Sequence, residues 1–236
     1  MIYAGVIYKN YFNKNLTGMK IRLTHFIAAW LCLGLFGIKS WAQEPGSKPN
    51  GVPEQLQDRN MDRAASRLYQ NALKYYDEKA HWKAAREFIV LLDYYPAFSQ
   101  ADGVLYHLGE SMYQMTMYKS AAKMFRFLLT KYPESRYVAG SLYGLQRISY
   151  QTENHPESLK IFSGIVARFG DDDVIDGARY YAGMAYFNQR DYDNAITTLG
   201  KVRARSEYFD HGLYTIGLAH LKKKRSTRLS LHCGSC

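Results

Sequence analysis

The sequence predicts an all-α fold, a solenoid of about 4.5 stacked helical hairpins at a spacing of 37 residues. Three kinds of residue recur at this spacing, and such a repeat is typical of helical-hairpin arrays. They are a Leu-Tyr pair (Leu68-Tyr69, Leu105-Tyr106, Leu142-Tyr143), a small residue (Ala84, Ala121, Ser158, Ala195) and a large apolar residue (Phe88, Phe125, Phe162, Leu199). Each hairpin buries little apolar surface alone, so stability is expected to come from stacking on its neighbours.

Four hairpin units follow one another along the chain, and each begins and ends on recognisable residues. The first two units, at about 61–96 and 101–133, end on a Tyr-Pro pair, because proline removes an N–H and stops a helix. In the third unit, Pro156 falls in the first turn of the second helix, where its missing N–H is not needed. The fourth unit begins at Asp171-Asp172-Asp173, which can cap a helix N-terminus and suit its dipole.

Two glycines stand inside predicted first helices, at Gly109 and Gly183. A glycine in a helix interior costs about 1 kcal/mol relative to alanine. We therefore expect them where the two helices of a hairpin approach closely, opposite the small residues Ala121 and Ala195.

The pattern of these recurring residues resembles the tetratricopeptide repeat over about residues 61–221. The matching residues are Leu105, Leu108, Gly109, Tyr118, Ala121, Phe125 and Pro133 in the second unit, and Tyr180, Gly183, Tyr186, Tyr192, Ala195 and Leu199 in the fourth. The resemblance implies a right-handed superhelical solenoid whose first helices line a concave groove. The period departs from the family's usual length of about 34 residues. The junction after Pro133 looks like that of bacterial envelope proteins, including the periplasmic Tol–Pal coordinator and the outer-membrane assembly lipoprotein.

The N-terminal segments predict export. Residues 19–42 read as a signal peptide, with a basic start, an apolar run of twelve residues from Phe26 to Gly37, and a cleavage site after about Ala42. The run is shorter than the roughly 20 residues of a membrane span, so no stable membrane insertion is expected after cleavage. Residues 1–18 read as an upstream extension, and residues 43–60, with three prolines, as a linker. The expected location is the periplasm or the cell exterior.

The basic charge of the chain belongs to its ends. Residues 1–42 and 222–236 each carry five Lys or Arg and no acid, which leaves 21 basic and 21 acidic residues between them. A nucleic-acid role needs a basic face, and the repeats offer none, so no nucleic-acid partner is expected.

A fifth unit begins at Tyr208, and its pattern stops after about Leu221. Residues 222–236 read as a basic, irregular tail, and we expect the chain to be truncated or frame-shifted there. Cys233 and Cys236 form a lone C-x-x-C pair beside His232. One such pair without a second pair of ligands does not predict a metal or redox site.

The sequence predicts a protein–protein interaction scaffold of the cell envelope, with no catalytic residues, metal or cofactor. The partner expected is another envelope protein or a peptide segment, bound in the concave groove. The candidate residues there are Tyr69, Tyr106, Tyr143, Tyr180, Glu110, Arg147, Asp77, Gln114, Gln151 and Asn188. Tyrosines and amides suit peptide contact, although the tyrosines can equally pack neighbouring first helices together. The alternative function is an accessory helical domain of a larger cell-wall enzyme.

Overall fold

The computed structural model describes the backbone of residues 54–233 and the side chains of residues 59–225. Every regular element in this part of the chain is an α-helix, which confirms the predicted all-α class. The nine helices within residues 54–233 are α1 (Glu54–Asp77), α2 (His81–Tyr94), α3 (Ala101–Gln114), α4 (Tyr118–Lys131), α5 (Val138–Gln151), α6 (His155–Phe169), α7 (Ile175–Asn188), α8 (Tyr192–Leu199) and α9 (Phe209–Cys233). The hairpins lie in a compact unit that begins at Asp58.

The helices alternate between two layers of a solenoid. The first helices of the hairpins are α1, α3, α5, α7 and α9, and the second helices are α2, α4, α6 and α8. From α3 onward, each first helix contacts the next first helix directly, whereas the second helices chiefly contact first helices. The first helices are therefore the more closely spaced layer, which is the inner side of a curved stack.

The same turn joins the two helices in each of the four hairpins, and one of its residues has a left-handed backbone. The N–H of Met117 donates to the carbonyl of Met112, and the N–H of Thr116 to that of Tyr113, both at 2.9 Å. These two bonds form a Schellman motif. The residues with positive φ, between 58° and 64°, are Lys79, Thr116, Glu153 and Arg190. Each carries a Cβ in a conformation that favours glycine, so each turn is slightly strained.

An aromatic contact closes each of these turns. The ring at the start of the second helix packs on the ring five residues earlier, with centroids 5.5–5.7 Å apart. The pairs are Tyr76–His81, Tyr113–Tyr118, Tyr150–His155 and Phe187–Tyr192. His81 and His155 thus take the packing position that tyrosines hold in the other two hairpins.

The glycines of the first helices mark close approaches, although not to the residues that the sequence indicated. A Cβ at Gly109 would lie 2.7 Å from the ring of Phe125, and one at Gly183 would lie 2.4 Å from the side chain of Leu199. The glycine is therefore needed because a large side chain of the second helix lies over it. The prediction that Ala121 would lie opposite was wrong in this respect.

The start of α6 follows its sequence signal, whereas the start of α7 differs from the cap predicted at Asp171-Asp172-Asp173. Pro156 lies in the first turn of α6, and the side chain of Asn154 accepts a hydrogen bond from the N–H of Glu157 at 3.3 Å. The N-cap of α7 is Val174, without a side-chain cap bond. Asp172 instead accepts a bond from the N–H of Val174 at 3.1 Å, one residue outside the helix.

Two predicted boundaries need correction. Helix α1 begins at Glu54, inside the range 43–60 predicted as a linker, because no proline or glycine follows Pro53 to interrupt it. Helix α9 continues to Cys233 through residues predicted as an irregular tail at 222–236. Lysine and arginine are good helix formers, so the basic run extends the helix instead of ending it.

The predicted extension at 1–18 and signal peptide at 19–42 lie outside the described residues. No helix in the described part of the chain is long and apolar enough to span a membrane.

Candidate functional site: the face of the first helices

The four predicted tyrosines are packed to different degrees between first helices. Tyr69 is 2% exposed, and its ring contacts Phe88, Phe98 and His107 with centroids 5.7–6.2 Å apart. Tyr106, Tyr143 and Tyr180 are half-buried. Burial raises the pKa of Tyr69, Tyr106, Tyr143 and Tyr180, so their hydroxyls stay neutral over the ordinary pH range.

Three of these tyrosines lie over a glycine of the next first helix. A Cβ at the glycine would lie 2.4 Å, 2.8 Å and 2.4 Å from the nearest tyrosine atom in the successive pairs. The pairs are Tyr69–Gly103, Tyr106–Gly140 and Tyr143–Gly177. Each ring fills space that only a glycine leaves open, so these tyrosines hold successive first helices together. Partner binding by the tyrosines stays a prediction.

The fourth tyrosine has a different partner. Tyr180 stacks on Tyr208, with centroids 5.0 Å apart and planes 22° from parallel. The hydroxyl of Tyr143 donates a hydrogen bond to the hydroxyl of Tyr208 at 2.9 Å. Tyr208 therefore joins the tyrosines of α5 and α7 just before α9 begins. A corresponding stack, at 4.9 Å and 20°, joins Tyr106 to Tyr137.

The most unusual feature of this face is a buried ion pair between α3 and α5. The guanidinium of Arg147 donates a hydrogen bond to the carboxylate of Glu110. Glu110 is 4% exposed and Arg147 9% exposed. Glu110 and Arg147 take equivalent positions in successive repeats, 37 residues apart. At the same position, α1 has Leu73 and α7 has Met184. The candidate residues Glu110 and Arg147 are thus brought into contact with each other.

Two tyrosine rings enclose the guanidinium of Arg147. Its carbon lies 4.3 Å from the ring centroid of Tyr113 and 4.7 Å from that of Tyr143, within the range of cation–π contacts. Burial opposes the charge and lowers the pKa of Arg147, but the attraction and hydrogen bond of Glu110 outweigh it, so the pKa is raised. Both the rings and the carboxylate therefore stabilise the cation.

The remaining four candidates form an exposed polar row. Each is the last residue of its first helix, and each side chain is exposed. The polar row consists of Asp77, Gln114, Gln151 and Asn188. The amide nitrogen of Asn188 donates to the hydroxyl of Tyr150 at 3.3 Å, which connects α7 to α5. Unlike the tyrosines, this row is open to solvent, and its role in binding stays a prediction.

An aromatic row runs directly beside the polar row, and sequence reasoning did not include it in the site. Its members each precede a residue of the polar row and are half-buried. The aromatic row consists of Tyr76, Tyr113, Tyr150 and Phe187. Tyr76 contacts His107 at 5.3 Å, and Tyr150 contacts Tyr181 at 5.4 Å, each on the next first helix. The sequence signal was present: an aromatic-polar pair recurs every 37 residues.

His107 lies in a cluster of aromatic rings at the start of this face. Five ring centroids lie 5.1–6.2 Å from the imidazole, those of Tyr69, Tyr76, Phe88, Tyr106 and Tyr137. Burial lowers the pKa of His107 to about 4. Its Nδ1 is buried and has no hydrogen-bond partner among the described residues. The imidazole is therefore neutral and serves as an apolar packing group.

No group of three or more His, Cys, Asp or Glu side chains could hold a metal ion in the part of the chain that the structure describes. Ser111, which follows Glu110, is fully buried.

Comparison with known proteins agrees with this architecture. Residues 104–135 and 178–206 match the family model of the tetratricopeptide repeat. These segments lie in the second and fourth units, on which the sequence resemblance rests. In these two segments the chain is therefore similar to tetratricopeptide repeats. No curated protein sequence matches the chain.

Solved structures of tetratricopeptide-repeat proteins share the fold. MamA from Desulfovibrio magneticus RS-1 is 16% identical with a TM-score of 0.56, over 72% of this chain and 92% of that one. YrrB, described as a TPR protein with an unusual peptide-binding site, is 20% identical with a TM-score of 0.53, over 72% and 82%. A tetratricopeptide repeat protein from Parabacteroides merdae is 14% identical with a TM-score of 0.55, over 70% and 64%. At these identities the likeness concerns the fold. The predicted resemblance to the Tol–Pal and outer-membrane assembly proteins stays a prediction.

Proposed function

We propose that this protein is a non-catalytic scaffold of the bacterial cell envelope that binds a segment of another protein on the face of its first helices. One observation carries the proposal: the exposed polar row and the half-buried aromatic row recur together at the end of four first helices. A surface that repeats the same two groups in every hairpin offers equivalent contacts to a ligand that lies across several hairpins.

The chemistry of the two rows favours a peptide. Gln114, Gln151 and Asn188 carry amides that both donate and accept hydrogen bonds, as the peptide backbone does. Aromatic rings supply large contact areas with few rotatable bonds. YrrB, which shares the fold, has a peptide-binding site according to its description.

The envelope location is supported by the sequence at 19–42, which has the three parts of a secretory signal. Expression of the full chain in a bacterial host, followed by cell fractionation and mass spectrometry of its N-terminus, tests this point. We expect the released fraction to begin at about Gln43. An uncleaved chain retained in the cytoplasm would contradict the location.

The binding face is tested by affinity capture from envelope extract with the purified protein as bait. The variant Gln114→Ala/Gln151→Ala should lose the retained protein while keeping its helical circular dichroism, because both side chains are exposed. Lys123→Ala/Arg126→Ala, on the exposed side of α4, is the matched control. Equal capture by all three proteins would remove the polar row from the binding face.

A further inference from the structure

We propose that the polar row and the aromatic row bind a proline-rich segment in the polyproline II conformation, an inference that rests on the proposed function and names its ligand. The central elements are the identical pairs Tyr113-Gln114 and Tyr150-Gln151. They end α3 and α5, two first helices in direct contact.

The spacing of the helices matches the repeat of this conformation. A polyproline II helix has three residues per turn and rises about 3.1 Å per residue, so it presents the same face about every 9 Å. The axes of packed helices lie about 8–10 Å apart. One turn of the ligand therefore spans the step from Tyr113-Gln114 to Tyr150-Gln151. Successive turns can make the same contacts with successive hairpins.

The hydrogen-bonding groups of the polar row also match those of a polyproline II segment. A polyproline II segment has no internal hydrogen bonds, so its carbonyl oxygens remain available to donors. The amide side chains of Gln114 and Gln151 are exposed and can donate to them. Proline has no N–H, so the segment presents few donors that need a partner on the protein. Tyr113 and Tyr150 also contact Arg147 and Tyr181, and the part of each ring that stays exposed offers aromatic surface on which a proline-rich ligand can dock.

The other common modes of peptide recognition fit this face less well. A ligand added as a β-strand needs a sheet edge, and the described part of the chain has no strand. An amphipathic helix needs a continuous apolar groove, but the polar row is exposed along this face. A helical ligand also satisfies its own carbonyls, so the amides would gain nothing from it.

The charge of the face suits an uncharged ligand. Glu110 and Arg147 neutralise each other, and recognition of an acidic or phosphorylated motif needs a cluster of free arginines. In the two rows, the only formal charge is that of Asp77. A proline-rich segment needs no charge for recognition, and it is already rigid, so little conformational entropy is lost on binding.

The test is calorimetric titration of the purified protein with two synthetic peptides. One is proline-rich and spans four turns of polyproline II, about 12 residues. The other has alanine at every proline position, so its φ angles are no longer fixed and it loses the rigid polyproline II conformation. We expect measurable binding of the first peptide only. Gln114→Ala/Gln151→Ala should weaken it about tenfold, since two hydrogen bonds are removed, and Lys123→Ala/Arg126→Ala should leave it unchanged.

Four results would overturn the inference. Equal affinity for the alanine peptide would show that the protein does not recognise the polyproline II conformation. Unchanged affinity of the variant Gln114→Ala/Gln151→Ala would show that the peptide binds elsewhere. Failure of both peptides, with a protein still captured from envelope extract through the polar row, would refute the proline-rich ligand and leave the scaffold function standing. Failure of both peptides together with an empty capture would refute both.

Discussion

The ring of Phe125 rests on the backbone of Gly144, and a Cβ at residue 144 would lie 2.5 Å from the ring. Gly109 lies on the other side of the same ring, where an added Cβ would lie 2.7 Å away. Phe125 is fully buried between these two glycines. One phenylalanine thus joins its own hairpin to the next by contact with two glycine backbones.

Gly144→Ala should therefore destabilise the protein by about 1–3 kcal/mol, the usual range for overpacking a core. Urea unfolding followed by circular dichroism measures the change. Gly164→Ala is the matched control, because Gly164 lies inside α6 with nothing within 4 Å of an added Cβ. That variant should gain about 0.5–1 kcal/mol from helix propensity. Similar changes in both variants would contradict the role given to the Phe125 contact.

Removing one member of the buried ion pair should be more damaging than removing both. Arg147→Met leaves the carboxylate of Glu110 buried without its partner, and we expect a loss of about 3–5 kcal/mol. Glu110→Leu/Arg147→Met reproduces the residue types of the same column in α1 and α7. The double variant should be close to wild type or more stable. A double variant less stable than Arg147→Met would show that the pair is needed for the fold.

Thr116→Gly should stabilise the protein by about 1 kcal/mol. Thr116 has a φ of 59°, a conformation that is unfavourable for a β-branched residue and easy for glycine. Thermal unfolding measures the gain. Thr130→Gly, inside α4, serves as the control and should lose stability through poorer helix propensity. No gain at residue 116 would mean that the turn holds threonine without strain.

Acid should destabilise the array through His107. Its pKa is lowered to about 4 in the folded protein by burial, against about 6.5 when unfolded. The unfolded chain therefore binds the proton more readily, and stability falls as the pH drops from 6.5 towards 4, by at most about 3 kcal/mol. His107→Phe should reduce this loss in urea unfolding at neutral and acidic pH. His220→Gln, at an exposed position of α9, should keep it.

The repeat period made most of the fold predictable, because each helix boundary recurs with the same residue types. Contacts between hairpins were harder to predict. The period aligns Tyr69 with Tyr106, but it does not indicate that Tyr69 lies over Gly103, since that contact depends on the angle between helices. Glu110 and Arg147 could have been paired from the sequence, because opposite charges in one column of adjacent repeats face each other.

The ends of the array were predicted less well for a different reason. The basic run at Lys222 has no apolar periodicity, which indicated an irregular tail, yet its residues have good helix propensity and continue α9. Candidate binding residues were predicted from the exposure expected on a concave surface. Burial of Tyr69 follows from packing that only the three-dimensional arrangement reveals.

The shortness of α8 has a consequence for local opening of the molecule. Its eight residues span about 12 Å, against about 21 Å for the fourteen residues of α2 or α4. It therefore covers less of α9, whose side chains Leu213, Tyr214 and Leu221 are 51–70% exposed. Stacked repeats unfold in nearest-neighbour steps. Amide protons of α8 and α9 should thus exchange with solvent first, and protection should rise stepwise towards α4. Local unfolding then begins at the α9 side of the stack, while the hairpins that carry Gln114 and Gln151 stay folded.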